Sequence, residues 1–254
     1  MSDLFDKYGH PIRVLIDPDC PQDLFDKSGR PHIVVENADG IDLSTSEFLP
    51  ALLRGSNLLH IPTNAGWIAA VVGSGTTQQL ISRMICNTIT TANSEGRLYG
   101  RLAAFIIQTA HYTNINWGKK IYIIFNLSRD ESCATAICRF QVKTVNTEGA
   151  LAAKGLGIRI DNFILKGESY GTSLGVVDLA TTMTSGYSYQ IVIIHYPGSK
   201  IEWYVNSVLK ATQSTAANIP SGTAISYLVS STINGATAAN ASLNIHHPKI
   251  WQEA

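Results

Sequence analysis

Residues 189–212 read YQIVIIHYPGSKIEWYVNSVLKAT, and this stretch decides the fold. Tyr189–Tyr196 is apolar at consecutive positions, as a strand buried on both faces must be. Pro197-Gly198-Ser199 then makes a tight turn, and the chain resumes in alternation. Ile201, Trp203 and Val205 point to one side, and Glu202, Tyr204 and Asn206 to the other. Asn206-Ser207 reads as the next turn, at a place where Asn-Gly would be the stronger pair.

The same grammar extends in both directions. Ala136–Lys143 sets Cys138, Phe140 and Val142 against Arg139, Gln141 and Lys143, the period-2 signature of a strand with two unlike faces. Strand runs are expected at Leu98–Gln108, Ile121–Phe125, Gly157–Leu165, Ile225–Ser230 and Ser242–Ile250. Short turn clusters separate them, such as Asn146-Thr147-Glu148-Gly149 and Pro220-Ser221-Gly222. Many short strands with closely spaced turns imply two packed antiparallel sheets. Only Glu47–Arg54 and Thr77–Met84 read as helical, the first capped by Ser44 or Ser46 and ended by Gly55.

The run 189–212 resembles the paired strands of concanavalin A-like lectin and glucanase jelly rolls, including laminin G-type domains. Trp203, Tyr204, Val205, Asn206, Val208 and Leu209 fit the pattern W/Y-Y-V/L-N-G-x-L, and Ser207 departs from it at the glycine. Leu243–Trp251 resembles the closing strand of such domains. The resemblance covers about residues 95–252. It implies a mainly β chain, an antiparallel jelly-roll β-sandwich, of a kind that hosts enzymes, lectins, adhesion modules and virion proteins alike.

The front of the chain carries a repeat. Residues 3–14, DLFDKYGHPIRV, match residues 23–34, DLFDKSGRPHIV, at eight identical positions, with His10 and Arg30 a basic pair. Each unit reads as an Asp-Lys-x-Gly turn, followed by a proline that opens a short edge strand. The expected organisation is an N-terminal arm over 1–60, a connecting segment with a short helix over 61–96, and the jelly roll over 97–254. Charge divides along the same line. Residues 1–60 hold ten acids and five bases, whereas residues 61–254 hold nine acids and fourteen bases.

The whole chain of 254 residues is formally neutral, with 19 bases and 19 acids, so phosphate neutralisation offers little basis for nucleic-acid binding. Hydrophobic residues at 45% argue against disorder. Met1–Asp6 lacks a basic and apolar leader, and Leu58–Gly73 is too interrupted by His60, Pro62, Thr63 and Asn64 to span a bilayer. Cys20, Cys86, Cys133 and Cys138 show no zinc-like spacing and read as small buried apolar residues, with a disulfide such as Cys20–Cys86 left open.

Catalytic chemistry is sparse in the sequence. A retaining glucanase needs two carboxylates about 5–5.5 Å apart, and no Glu-x-Asp-x-x-Glu run exists. Asp161-Asn162 is the nearest approach to a calcium ligand pair and reads as part of a strand, short of the six to eight oxygens a site requires. His246 and His247 are adjacent and face opposite ways on a strand, and His195 reads as a hydrogen-bonded core or rim residue. No catalytic residue, metal site or cofactor is expected. Trp117, Tyr170 and Tyr204 are the candidate ligand-binding residues, through stacking on sugar rings, with Tyr170 placed in a loop over 166–172.

These observations favour a non-enzymatic virion structural protein of capsid, decoration or tail-fibre type, made in the host cytoplasm and assembled through its acidic arm. Its expected partners are copies of itself in an oligomer or lattice, other virion proteins and a host-surface glycan, without nucleic acid or membrane insertion. The alternative is a lectin-like carbohydrate-binding module, with a glucanase-like hydrolase a third reading.

Overall fold

The computed structural model describes residues 4–5, 11–12, 56–59, 67–79, 83–88, 92–101, 103–106, 109–112, 114–130, 136–233 and 241–253. The chain divides into two compact units, Met1–Arg54 and Gly55–Ala254. In the first, β1 (Leu4–Phe5) pairs antiparallel with β2 (Pro11–Ile12), both of them within the first repeat. The second repeat and Glu47–Arg54 lie outside the described residues.

The second unit begins with β3 (Ser56–Leu59), β4 (Ile68–Val72), β5 (Thr76–Gln79), β6 (Arg83–Thr88) and β7 (Glu95–Arg101). It continues through β8 (Ala103–Ile106), β9 (Thr109–Tyr112), β10 (Asn114–Asn116), β11 (Ile121–Asp130), β12 (Ile137–Lys143) and β13 (Gly155–Asp161). Then come β14 (Ile164–Tyr170), β15 (Leu174–Thr182), β16 (Ser188–Tyr196), β17 (Lys200–Val205) and β18 (Val208–Gln213). It ends with β19 (Thr223–Ile225), β20 (Tyr227–Ile233) and β21 (Ala241–Glu253).

Two antiparallel sheets account for most of these strands. The eight-stranded sheet runs β18-β17-β16-β11-β21-β6-β5, with β3 also on β21. Strand β21 has 13 residues, enough to hold β11 along one edge and β6 then β3 along the other. The seven-stranded sheet runs β15-β14-β13-β12-β20-β7-β4. Between them lies one core, contributed by alternate residues such as Ile121, Ile123, Phe125 and Leu127 of β11 and Cys138, Phe140 and Val142 of β12. Phe125 and Phe140 touch with ring centroids 4.4 Å apart. Each fully buried aromatic or branched side chain contributes about 1.5–3 kcal/mol to holding the layers together.

Several sequence expectations change. Thr77–Met84 is not helical: β5 and β6 occupy its two ends and pair with each other. β-branched and polar residues there find partners in a sheet edge, and tertiary pairing overrides the weak helical pattern. Strands β4, β5 and β6 are members of the two sheets, so the sandwich takes in much of 61–96. The run 157–165 is not one strand. Asn162 (φ 49°) and Phe163 (φ 65°) form a left-handed two-residue turn between β13 and β14. Such a turn tolerates Asn well, and its second position lacks the glycine that would have announced it. Asn206 (φ 49°) and Ser207 (φ 65°) make the expected turn between β17 and β18.

Candidate functional site

The register of the seven-stranded sheet places its polar residues in rows on the face turned away from the core. One row is Glu168, Gly157, Gln141 and Val229, on β14, β13, β12 and β20. The next is Lys166, Arg159, Arg139, Ser231 and Arg97. The core takes Leu156, Ile158 and Ile160 from β13 and Cys138, Phe140 and Val142 from β12, so alternation sends the charged residues outward.

Glu168 is the hub. It is wholly buried and accepts a hydrogen bond from Gln141 Nε2 at 2.6 Å and another from Arg159 Nη1 at 3.3 Å. Arg139 Nε lies 4.0 Å from its second oxygen. Glu168 and Gln141 stand two strands apart, roughly 9–10 Å in a sheet. They meet because the residue between them is Gly157, which has no side chain. Arg159 also donates to Asp161 Oδ2 at 3.2 Å, and Lys166 Nζ reaches the same oxygen at 3.3 Å.

A loop closes one side of this belt. Glu148 accepts a hydrogen bond from Arg139, Lys143 Nζ donates to Gly149 O at 3.3 Å, and Leu151 packs over Gly155. Burial pulls the Lys143 ammonium down to about 8. Burial likewise pushes the Glu95 carboxyl above its ordinary range; Arg97, 3.3 Å away, opposes this and Glu148 reinforces it. Among the described residues Gln141 Oε1 and Ser231 Oγ have no hydrogen-bond partner, although both are buried.

The three aromatics singled out in the sequence are not brought together. Trp117 is wholly buried, with its ring edge-on to His195 at 5.4 Å, and belongs to the core. It offers no face for stacking. Tyr170 ends β14 rather than sitting in a loop, and shares the outer face with Glu168 and Lys166. Tyr204 lies on the other sheet, where its hydroxyl donates to Glu202 at 2.9 Å. Beside it Lys200 donates to the same carboxylate at 2.5 Å, and Lys120 and Lys200 lie 4.7 and 4.8 Å from the Tyr196 ring centre. Burial pushes Glu202 up, but the hydrogen bonds from Lys200, Tyr204 and Tyr196 outweigh it and hold the carboxyl below its usual range.

Sequence reasoning recognised the Arg139, Gln141, Lys143 face but missed the belt. The signal was the same alternation in the next two strands, Arg159/Asp161 and Lys166/Glu168, obscured because 157–165 read as one strand. Among the described residues no cluster of three His, Cys, Asp or Glu is placed to hold a metal. His195 is buried as expected, its two ring nitrogens 3.3 Å from Lys119 O and 3.1 Å from Pro220 O. Cys86 and Cys138 are buried thiols.

Neither a protein-family profile nor a curated protein sequence matches the chain. Solved structures do resemble it. One, described as "Prominent members of the human gut microbiota express endo-acting O-glycanases to initiate mucin breakdown", has a TM-score of 0.54 and 5% identity over 76% of this chain and 94% of its own. A sialidase aligns with a TM-score of 0.51 and 12% identity over 73% of this chain, and the match spans only 17% of the sialidase chain. A Bacillus licheniformis β-glucanase aligns with a TM-score of 0.49 and 14% identity over 79% of this chain and 99% of its own. At such identities the likeness is one of fold. The sandwich has the fold of a concanavalin A-like jelly roll.

Proposed function

We propose that this chain is a non-catalytic carbohydrate-binding module whose ligand lies on the outer face of the seven-stranded sheet. The partly exposed Arg159 and Lys166 of the belt, with Tyr170 at its end, carry the reading, held in place from beneath by the buried Gln141 and Glu168. A planar guanidinium and an ammonium suit the hydroxyls of a sugar, and a tyrosine ring suits its apolar face. The pairing of the belt's carboxylates supports a non-catalytic role. Glu148 is held by Arg139, Glu168 by Arg159 and Gln141, and Asp161 by Arg159 and Lys166. A glycosidase instead sets one carboxyl free to donate a proton beside a second that attacks or activates water. The likeness of the fold to a structure described with endo-acting O-glycanases supports a glycan as the ligand class.

A glycan microarray probed with the full chain tests this reading. A retained glycan, lost in both Tyr170→Ala and Lys166→Ala while the far-ultraviolet dichroism stays native, supports it. No retained glycan, or binding indifferent to both substitutions, overturns it.

A second reading, a virion structural protein that assembles through residues 1–60, is supported by the charge division between an acidic front and a basic body. Deletion of residues 1–40 should then abolish large, salt-sensitive assemblies in sedimentation velocity and leave the β-sandwich folded. An arm-less chain that assembles like the full one removes it.

A further inference from the structure

Among the described residues, strand β4, Ile68-Ala69-Ala70-Val71-Val72, ends the seven-stranded sheet and pairs on one side only, with β7. Sheet edges are normally guarded by a charge, a proline or a bulge, because their free N–H and C=O groups accept another strand. Here there is none: five uncharged residues pair in unbroken register, and Ile68, Val71 and Val72 are each 54% exposed.

We propose that β4 is a homodimer contact, pairing antiparallel with β4 of a second copy about a two-fold axis beside Ala70. The sequence of the strand suits itself. With Ala70 opposite Ala70, Ile68 meets Val72 on the outer face and Ala69 meets Val71 on the inner face, so every cross-strand pair is apolar. The same patch serves both copies, as a closed two-fold contact requires. The formal net charge of the chain is zero, so two copies meet without overall repulsion. A second copy is favoured over an unrelated strand because this complementarity is internal to β4.

The pairing fuses the two seven-stranded sheets edge to edge. An axis that makes neighbouring strands antiparallel stands perpendicular to the sheet, so both outer faces point the same way. Where those faces bind glycan, the dimer presents two sites side by side and gains avidity on a multivalent surface. The dimer itself does not depend on that reading.

Sedimentation of the full chain from about 1 μM to about 1 mM tests the contact, a range suited to an interface smaller than the standard ~1,600 Å². The expected mass rises from 27.5 kDa towards twice that value, and Val71→Lys stays at 27.5 kDa with a native dichroism spectrum. Directly opposed residues of an antiparallel pair bring their Cβ atoms to about 4.5–5.5 Å. Ala70→Cys should therefore give a covalent dimer on mild oxidation, in excess of any formed by the native chain. A mass of 27.5 kDa throughout overturns the proposal, as does a Val71→Lys chain that associates like the native one. Should Val71→Lys fail to fold, an Ala70→Cys chain that gains no cross-link overturns it equally. Glycan binding by a strictly monomeric chain would refute the dimer and leave the binding reading standing.

Discussion

The indole of Trp203 rests on the bare backbone of Gly167: a methyl group there would come within 2.6 Å of Trp203 Cε2. Trp203 belongs to the eight-stranded sheet and Gly167 to the seven-stranded one, so this contact joins the two layers directly beneath the belt. The same ring donates from Nε1 to Gly157 O at 3.1 Å, tying down the glycine over which Gln141 reaches Glu168.

Gly167→Ala should therefore destabilise the fold by about 1–3 kcal/mol, the usual cost of overpacking. Urea denaturation checks this, read as a lower midpoint at unchanged slope. Trp203→Phe would lose the bond to Gly157 and part of the packing, and the two substitutions together should be non-additive because the residues touch.

Glu168→Ala should be worse than Glu168→Gln. Removing the carboxylate leaves Gln141 without its buried acceptor and Arg139 and Arg159 with only Glu148 and Asp161, and breaking one partner of a buried pair costs up to roughly 3–5 kcal/mol. The amide keeps an acceptor for Gln141 and Arg159 and should retain a folded protein of lower melting temperature. Thermal unfolding followed by dichroism distinguishes the two.

Stability should rise between about pH 8 and pH 10. Lys143 falls to about 8 in the folded chain from an ordinary value of 10.5. Below pH 8 both states hold its proton, and the folded state bears the cost of a buried ammonium. Between the two values only the unfolded state still holds it, so folding gains as pH climbs. Tyr204, pushed up to about 12 by burial and Glu202, acts oppositely above pH 10 and ends the rise. Lys143→Met should flatten the slope from pH 8 to 10 in denaturation curves taken at each pH.

Acid should weaken the fold well above the carboxylate range. Burial holds the His195 imidazole below its ordinary 6.5, although the carbonyls of Pro220 and Lys119 oppose this. The unfolded chain therefore takes up that proton first, and stability falls as pH drops through 6.5. His195→Gln should reduce the loss between pH 7 and pH 5, whatever its effect on stability at pH 8.

Ser207→Gly should stabilise. Ser207 sits at φ 65°, a left-handed conformation that costs a side-chain-bearing residue roughly 1–2 kcal/mol. Glycine removes that strain at some cost in unfolded-state entropy. Asn206 should stay, because its Oδ1 accepts the backbone N–H of Gln190 at 2.9 Å. A melting temperature higher by about 2–4 °C checks it.

The sandwich was legible in the sequence because strand periodicity is local: Cys138, Phe140 and Val142 against Arg139, Gln141 and Lys143 states which face is buried without knowing against what. Turn residues with a standard signature, such as Pro197-Gly198-Ser199, were legible for the same reason. The Asn162–Phe163 turn was not, since it lacks its glycine, and with it the pairing of Arg159 with Glu168 was lost. Thr77–Met84 failed as a helix because a sheet edge offered its backbone partners that no local pattern records. Trp117 and Tyr170 could not be told apart as core and surface, since an aromatic residue suits either and only packing chooses. The belt itself was a decision of tertiary structure: Gln141 and Glu168 lie 27 residues apart, and only the register of three strands, with Gly157 in the middle, brings amide and carboxylate to 2.6 Å.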